Sequence, residues 1–126
     1  MVSELTDGVR VSVECFFLEE QSAPENARWA YAYRITIANE SERTIQLMRR
    51  HWLITNEQAE VTEVHGEGVV GEQPTIDPGE AHTYTSGAIL KTETGTMEGS
   101  YEMVDHAGDP FRVSIPRFSL GQRLLH

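Results

Sequence analysis

Three glycines in the middle of the chain have a spacing that could bind a phosphate group. Gly66, Gly68 and Gly71 spell G-x-G-x-x-G within VHGEGVVGEQP. In dinucleotide-binding proteins this spacing joins a strand to a helix whose N-terminus receives the pyrophosphate. Here Pro74 and Pro78 follow where that helix would run, and no Gly-Lys-Ser or Gly-Lys-Thr follows either. The spacing therefore predicts a sharp turn, or a close approach to a neighbouring strand where a Cβ atom would clash.

Two binding roles remain open for the same loop. Glycines at this density can aim backbone amides at an anion, so a nucleotide or pyrophosphate could bind at the Gly66–Gly71 loop, although Glu67 and Glu72 would repel it. If the loop has only a structural role, we expect Val69 and Val70 to anchor the segment where the chain crosses from one sheet to the other. The loop could also contact a protein. The candidate interaction loop comprises Gly66, Glu67, Gly68, Gly71, Glu72 and Pro74.

Carboxylate and imidazole side chains at the start of this loop suggest a metal site. Glu63, His65 and Glu67 stand two residues apart, so on a strand they would share one face at a spacing of about 7 Å. Two of them could chelate a divalent cation with help from elsewhere in the fold. The spacing matches no tetrahedral zinc motif, and a polar edge strand would carry the same residues, so these are weak metal candidates.

Residues that could act as nucleophiles lack an activating context. Ser86 has no leading glycine of a nucleophile elbow, and Cys15 lies in an apolar alternation that predicts a small core residue. Arg49, Arg50 and His51 suit a binding site, although solvation or ion pairs with the many acids is the simpler interpretation. We therefore predict that the protein is not an enzyme and uses no cofactor.

The charge balance limits the classes of partner. Twenty acidic and ten basic side chains among 126 residues give a formal net charge of −10. This field repels phosphate backbones, so we expect no nucleic acid partner unless the arginines cluster. No apolar run approaches the about 18 residues that span a bilayer, so we expect no membrane insertion. The single cysteine and the lack of an export signal predict a cytoplasmic location.

Apolar side chains alternate with polar ones through most of the chain, which predicts strands. The alternating segments are 9–17, 29–37, 45–54, 81–90, 97–103 and 111–115, with a polar edge strand at 59–65 and an extended tail at 116–120. Between Leu47 and Trp52 the apolar positions change from odd to even numbers, which predicts a β-bulge at residues 48–51. No helical stripe persists. About seven to nine short strands predict an all-β, two-layer sandwich.

Several motifs, taken in order, resemble the ApaG family, also called CorD. They are Leu18–Ser22, Trp52–Thr55, Gly66–Pro74, Pro78–Glu80, Tyr84–Gly87, Gly95–Met103 and Phe111–Phe118. The match covers nearly the whole chain; it departs at Glu93, where we expect proline, and at His65, where the family often has a basic residue. The resemblance implies an immunoglobulin or fibronectin type III-like β-sandwich, a link to cobalt resistance and magnesium efflux, and no catalytic residues to carry over.

Together these observations predict a single ApaG-like domain over residues 1–126. We expect a non-enzymatic binding domain whose unidentified partner is a protein, contacted through residues 66–74 and nearby strand edges. The alternative is a small-molecule sensor that binds a nucleotide or pyrophosphate at the glycine loop, or cobalt or magnesium at Glu63, His65 and Glu67. An exposed edge strand would also permit a homo-oligomer.

Overall fold

The apolar alternation produces two antiparallel sheets that pack face to face. The computed structural model describes residues 1–121. Its strands are β1 (Val2–Thr6), β2 (Val9–Phe17), β3 (Trp29–Asn39), β4 (Ile45–Asn56), β5 (Val61–Glu67), β6 (Thr75–Ile76), β7 (Ala81–Leu90), β8 (Gly95–Asp105) and β9 (Pro110–Leu120). The first sheet has the order β1-β2-β3-β7 and the second has the order β5-β4-β8-β9, with β6 paired to β4. The predicted all-β sandwich is confirmed; residues 122–126 of the predicted domain lie outside the described residues.

The inner faces of both sheets bury one shared core. Val11 and Ile35 from the first sheet and Leu47 and Tyr101 from the second are all inaccessible to solvent. Cys15 is half-buried and packs against this core. Its thiol donates a hydrogen bond to the carbonyl oxygen of Ser119 on β9, with an Sγ–O distance of 3.2 Å. The predicted packing role of this cysteine therefore holds at the margin of the core.

The strands β1 and β6 and two short helices were not predicted from the sequence. β1 has four exposed residues out of five, so it lacks a buried face whose alternation would reveal it, yet it pairs along its length with β2. The described chain also contains two short 3₁₀ helices, at Glu19–Gln21 and Pro24–Asn26. Neither of these, nor any other helix within residues 1–121, is long and apolar enough to cross a membrane.

A pair of buried tyrosines joins the two sheets by a polar contact. The hydroxyl oxygens of Tyr84 on β7 and Tyr101 on β8 lie 2.5 Å apart. Burial raises the pKa of the Tyr84 phenol. Burial, followed by the neighbouring Tyr84, raises the pKa of the Tyr101 phenol well above its ordinary value. Both phenols therefore stay neutral while the protein is folded, even where an exposed tyrosine would ionise.

We predict that this pair makes the fold sensitive to alkaline pH. An unfolded tyrosine ionises at about pH 10. Because the pKa values are higher in the folded state, their full contribution to the free energy of unfolding is present below that pH. The free energy of unfolding falls as the pH rises above it. Urea unfolding between pH 8 and pH 11 checks this. The double variant Tyr84→Phe, Tyr101→Phe should lose less stability over this range than wild type. Parallel losses in the two proteins would show that other groups cause the dependence.

Candidate binding site around the β4 bulge

A register shift between β4 and β8 sets the face that each side chain of β4 occupies. Leu47 and Arg49 lie opposite consecutive residues of β8, so one extra residue is inserted between them. Leu47 is buried before the shift and Trp52 after it, which confirms the predicted bulge. In consequence Arg49 and His51 share the outer face of the second sheet, whereas Arg50 borders the space between the sheets.

On the outer face His51 lies directly opposite His65 of β5. The two imidazole rings stack with centroids 4.4 Å apart. Glu63 Oε2 is 2.6 Å from His51 Nε2 and 3.1 Å from His65 Nε2. The hydrogen bond with His51, and then that with His65, lowers the pKa of the Glu63 carboxyl. The structure thus joins two of the predicted metal candidates with His51 and leaves Glu67 outside the cluster.

The pairing of His51 with His65 has a signal in the sequence. The turn predicted at Asn56–Gln58 makes β4 and β5 a hairpin, and Thr55 pairs with Val61 beside that turn. Counting outward from this pair brings position 51 opposite position 65. The spacing of Glu63, His65 and Glu67 along one strand missed this, since cross-strand neighbours are closer than residues four apart on one strand.

A cleft of about 420 Å³ extends across the outer face from the histidines. Glu67, Arg49, Glu102 and Arg112 form one row across β5, β4, β8 and β9, in which opposite charges alternate. Within residues 1–121 neither Arg49 nor Arg112 comes within ion-pair distance of an acid. The interleaved acids prevent these arginines from forming a uniformly basic patch.

Arg50 holds the start of the glycine loop against β4. Its Nη1 donates hydrogen bonds to the carbonyl oxygens of Glu67 and Gly68, at 3.1 and 3.0 Å. The guanidinium lies so close to Gly66 that a Cβ atom there would be 2.6 Å from it. Gly66 belongs to β5 rather than to a loop. The acceptors of Arg50 are thus backbone carbonyls, whereas the sequence favoured solvent or acidic side chains.

Residues 66–74, which we call the glycine hairpin, contain a two-residue turn. The amide of Val69 donates to the carbonyl of Glu72 at 2.8 Å, and the amide of Glu72 donates back at 3.0 Å. Val70 and Gly71 have φ values of 47° and 78°, which is the pattern of a type I′ turn. Gly68 has a φ of 65°, and the Glu72 carbonyl occupies the space that a Cβ would need. The predicted tight turn and close approach are both present.

The two valines of the hairpin differ in burial. Val69 is 1% exposed and packs in the core, as expected, whereas Val70 is 61% exposed. The expectation that both valines anchor the crossing was therefore wrong for Val70. The reason is geometric: the paired amides of Val69 and Glu72 turn the two residues between them away from the core.

Few amides of the hairpin remain available to an external anion. Those of Gly68, Val69 and Glu72 donate to carbonyl groups of the protein. Within the described chain, the amides of Val70 and Gly71 are the ones between Gly68 and Glu72 that have no acceptor. β6 rather than a helix follows at Thr75. The geometry therefore gives the nucleotide or pyrophosphate alternative little support.

The hairpin covers a cavity of about 340 Å³ between the sheets. Its walls include Arg50, Trp52 and Tyr84, together with Ser86 of β7. Cys15 is not among the lining residues, and burial raises the pKa of its thiol, which disfavours the reactive thiolate. The cavity is therefore lined by aromatic rings, the Arg50 guanidinium, Glu67 and the hydroxyl-bearing Ser86, with no cysteine among them.

The comparisons with known proteins agree with this architecture. A family model described as the ApaG domain matches residues 19–105. Protein ApaG of Proteus mirabilis is 54% identical over 112 residues, which cover 89% of this chain and 90% of that protein. Protein ApaG of Brucella anthropi is 52% identical over 120 residues, covering 95% and 92%. A crystal structure of the ApaA protein from Bordetella pertussis superposes with a TM-score of 0.88 at 43% identity, covering 90% of this chain and 92% of that one.

Fold and site together define a small antiparallel β-sandwich with a bulged central strand and a tight glycine hairpin over the gap between its sheets. The family match covers more than half of the chain and includes this strand and hairpin. The chain belongs to the ApaG family.

We predict that Gly66 and Gly68 of the hairpin tolerate alanine unequally. Gly68→Ala places a Cβ against the backbone carbonyl of Glu72 at a positive φ, so it should lower the free energy of unfolding by about 2 kcal/mol or more. Gly66→Ala displaces only the end of the Arg50 side chain and should cost about 1 kcal/mol. Chemical denaturation measures both. A cost for Gly66→Ala equal to that for Gly68→Ala would contradict the proposed roles.

Proposed function

We propose that this domain is a non-catalytic, cytoplasmic binding module that contacts a protein partner through the glycine hairpin. One observation carries the proposal. Val70 has a φ of 47° while its side chain is 61% exposed. A β-branched residue is a steric outlier in this region of backbone space, and an exposed valine adds little to the core. Strained residues of this kind cluster at binding and switch sites.

The surroundings of Val70 suggest what such a partner offers. Glu67 and Glu72 are exposed on either side of the turn, so an apolar recess with a basic rim would complement the hairpin. β5 leads into the hairpin and lies at the edge of its sheet, with Val61 59% exposed. Its unpaired backbone groups could add a strand from the partner or from a second copy of this chain.

Charge and chemistry support a protein partner over the other classes. The net charge of −10 and the alternating row on the outer face oppose nucleic acid. The raised pKa of the Cys15 thiol supports a non-catalytic role. Involvement in cobalt resistance and magnesium efflux belongs to the proposal through the family resemblance alone, and such a role would be exerted through the partner.

We predict that Val70→Asn separates stability from binding. The change creates Asn-Gly, the dipeptide that type I′ turns prefer, so it should raise the free energy of unfolding by about 0.5 to 1 kcal/mol. It should also weaken capture of the partner from native lysate by the immobilised protein, because the apolar tip is lost. Denaturation and quantitative mass spectrometry measure the two effects.

Two further variants sharpen this experiment. The double change Glu67→Ala, Glu72→Ala should weaken capture with little effect on the melting temperature, because both side chains are exposed. Glu25→Ala removes an exposed carboxylate from the 3₁₀ helix Pro24–Asn26, which is not part of the hairpin, and should change neither quantity. Capture that is unaltered in both hairpin variants would remove the hairpin from the proposed interface.

A further inference from the structure

The cluster of His51, Glu63 and His65 lies outside the hydrophobic core and outside the glycine hairpin. It lies on the outer face of the second sheet, with Glu63 about half exposed and His65 69% exposed. No core side chain packs on it, and the neighbouring Val64 turns the other way, against the core. The cluster is nevertheless well defined. Strand pairing places the two histidines opposite each other, and the Nε2 atom of each lies within hydrogen-bond distance of the same Glu63 oxygen, Oε2.

The three potential ligand atoms are close enough to share one ion. One ring nitrogen of His51, one ring nitrogen of His65 and a Glu63 carboxylate oxygen all lie within 4.8 Å of one another. A tetrahedral ion with bond lengths of about 2.0 to 2.2 Å needs ligand atoms about 3.4 Å apart. The two distances from Glu63 Oε2, 2.6 and 3.1 Å, would have to open by less than about 1 Å. Side-chain torsion angles must change to supply this, and the two stacked rings must tilt so that the planes of both pass through the ion.

The donor set selects the kind of ion. Two imidazole nitrogens and one carboxylate suit Zn²⁺, Co²⁺, Ni²⁺ or Cu²⁺, whereas Mg²⁺ and Ca²⁺ prefer oxygen ligands. Three protein ligands on an exposed face leave a further coordination position to water, as in zinc sites that have three protein ligands. For the predicted ligands Glu63, His65 and Glu67, both cobalt and magnesium were considered. The structure brings together two histidines and one glutamate instead, and these ligands disfavour magnesium.

We propose that His51, Glu63 and His65 bind one divalent transition-metal ion, which cross-links the edge strand β5 to β4. The ion replaces the hydrogen bonds that hold Glu63 between the two imidazoles. Because β5 has a neighbour on one side only, the cross-link should also slow its local opening. This proposal does not depend on the partner-binding role of the glycine hairpin, since none of its three ligands lies within residues 66–74.

Calorimetric titration of untagged, chelator-treated protein with Zn²⁺ tests the site. Wild type should bind one ion per chain, with no comparable heat from Mg²⁺. His51→Ala should weaken Zn²⁺ binding at least tenfold, and Glu63→Gln provides a second variant that preserves side-chain volume. His106→Ala is the matched control, because His106 is an exposed histidine in the turn between β8 and β9 and should leave the affinity unchanged.

Hydrogen exchange gives a readout that is independent of affinity. With Zn²⁺ bound, amides of Val61–Glu67 should exchange at least several-fold more slowly, and this protection should be absent in His51→Ala. The proposal is overturned if wild type shows no saturable Zn²⁺ binding, if His51→Ala and Glu63→Gln both bind as wild type does, if His106→Ala loses as much affinity, or if Mg²⁺ binds equally well.

Discussion

The bulge in β4 is the constraint on which the candidate sites depend. Without the extra residue between Leu47 and Arg49, the alternation of the strand would continue unchanged, and Trp52 would leave the core. With it, Arg50 turns inward to the hairpin carbonyls while His51 faces outward to β5. One inserted residue therefore supplies both the anchor of the hairpin and a member of the outer-face cluster. Bulges near functional sites re-aim side chains in this way.

The fold was largely predictable because period-two alternation is strong wherever a strand buries one face. The slip between Leu47 and Trp52 even located the bulge, since register is fixed by burial. The strand β1 was not predicted because its residues are mostly exposed. Its position depends on backbone pairing with β2 rather than on an apolar side-chain pattern. The pattern of apolar side chains in the sequence therefore indicates which residues are buried, but not which exposed strands pair through their backbones.

The candidate sites were predictable only in part, for a related reason. The glycines indicated a tight turn, because positive φ and close approach are properties of the backbone itself. The exposure of Val70 could not be inferred, since two adjacent valines look alike in the sequence. Only the paired amides of Val69 and Glu72 show which valine faces solvent. Likewise the histidine pair arises across two strands, where its members stand far apart in sequence. Arg50 gave a local signal at the bulge, but its carbonyl acceptors become visible only when β5 is in place.

The hydrogen bond between Tyr84 and Tyr101 has a consequence for how the two sheets align. Apolar faces attract each other without strong directional preference, so in the core the lateral alignment of two sheets is specified mainly by how their side chains interdigitate. A hydrogen bond is directional and short, and this one joins the sheets through side chains that are almost completely buried. It therefore favours one lateral alignment of the two sheets. The cavity under the glycine hairpin is lined by residues of both β4 and β7, Tyr84 among them, so its shape depends on the same alignment.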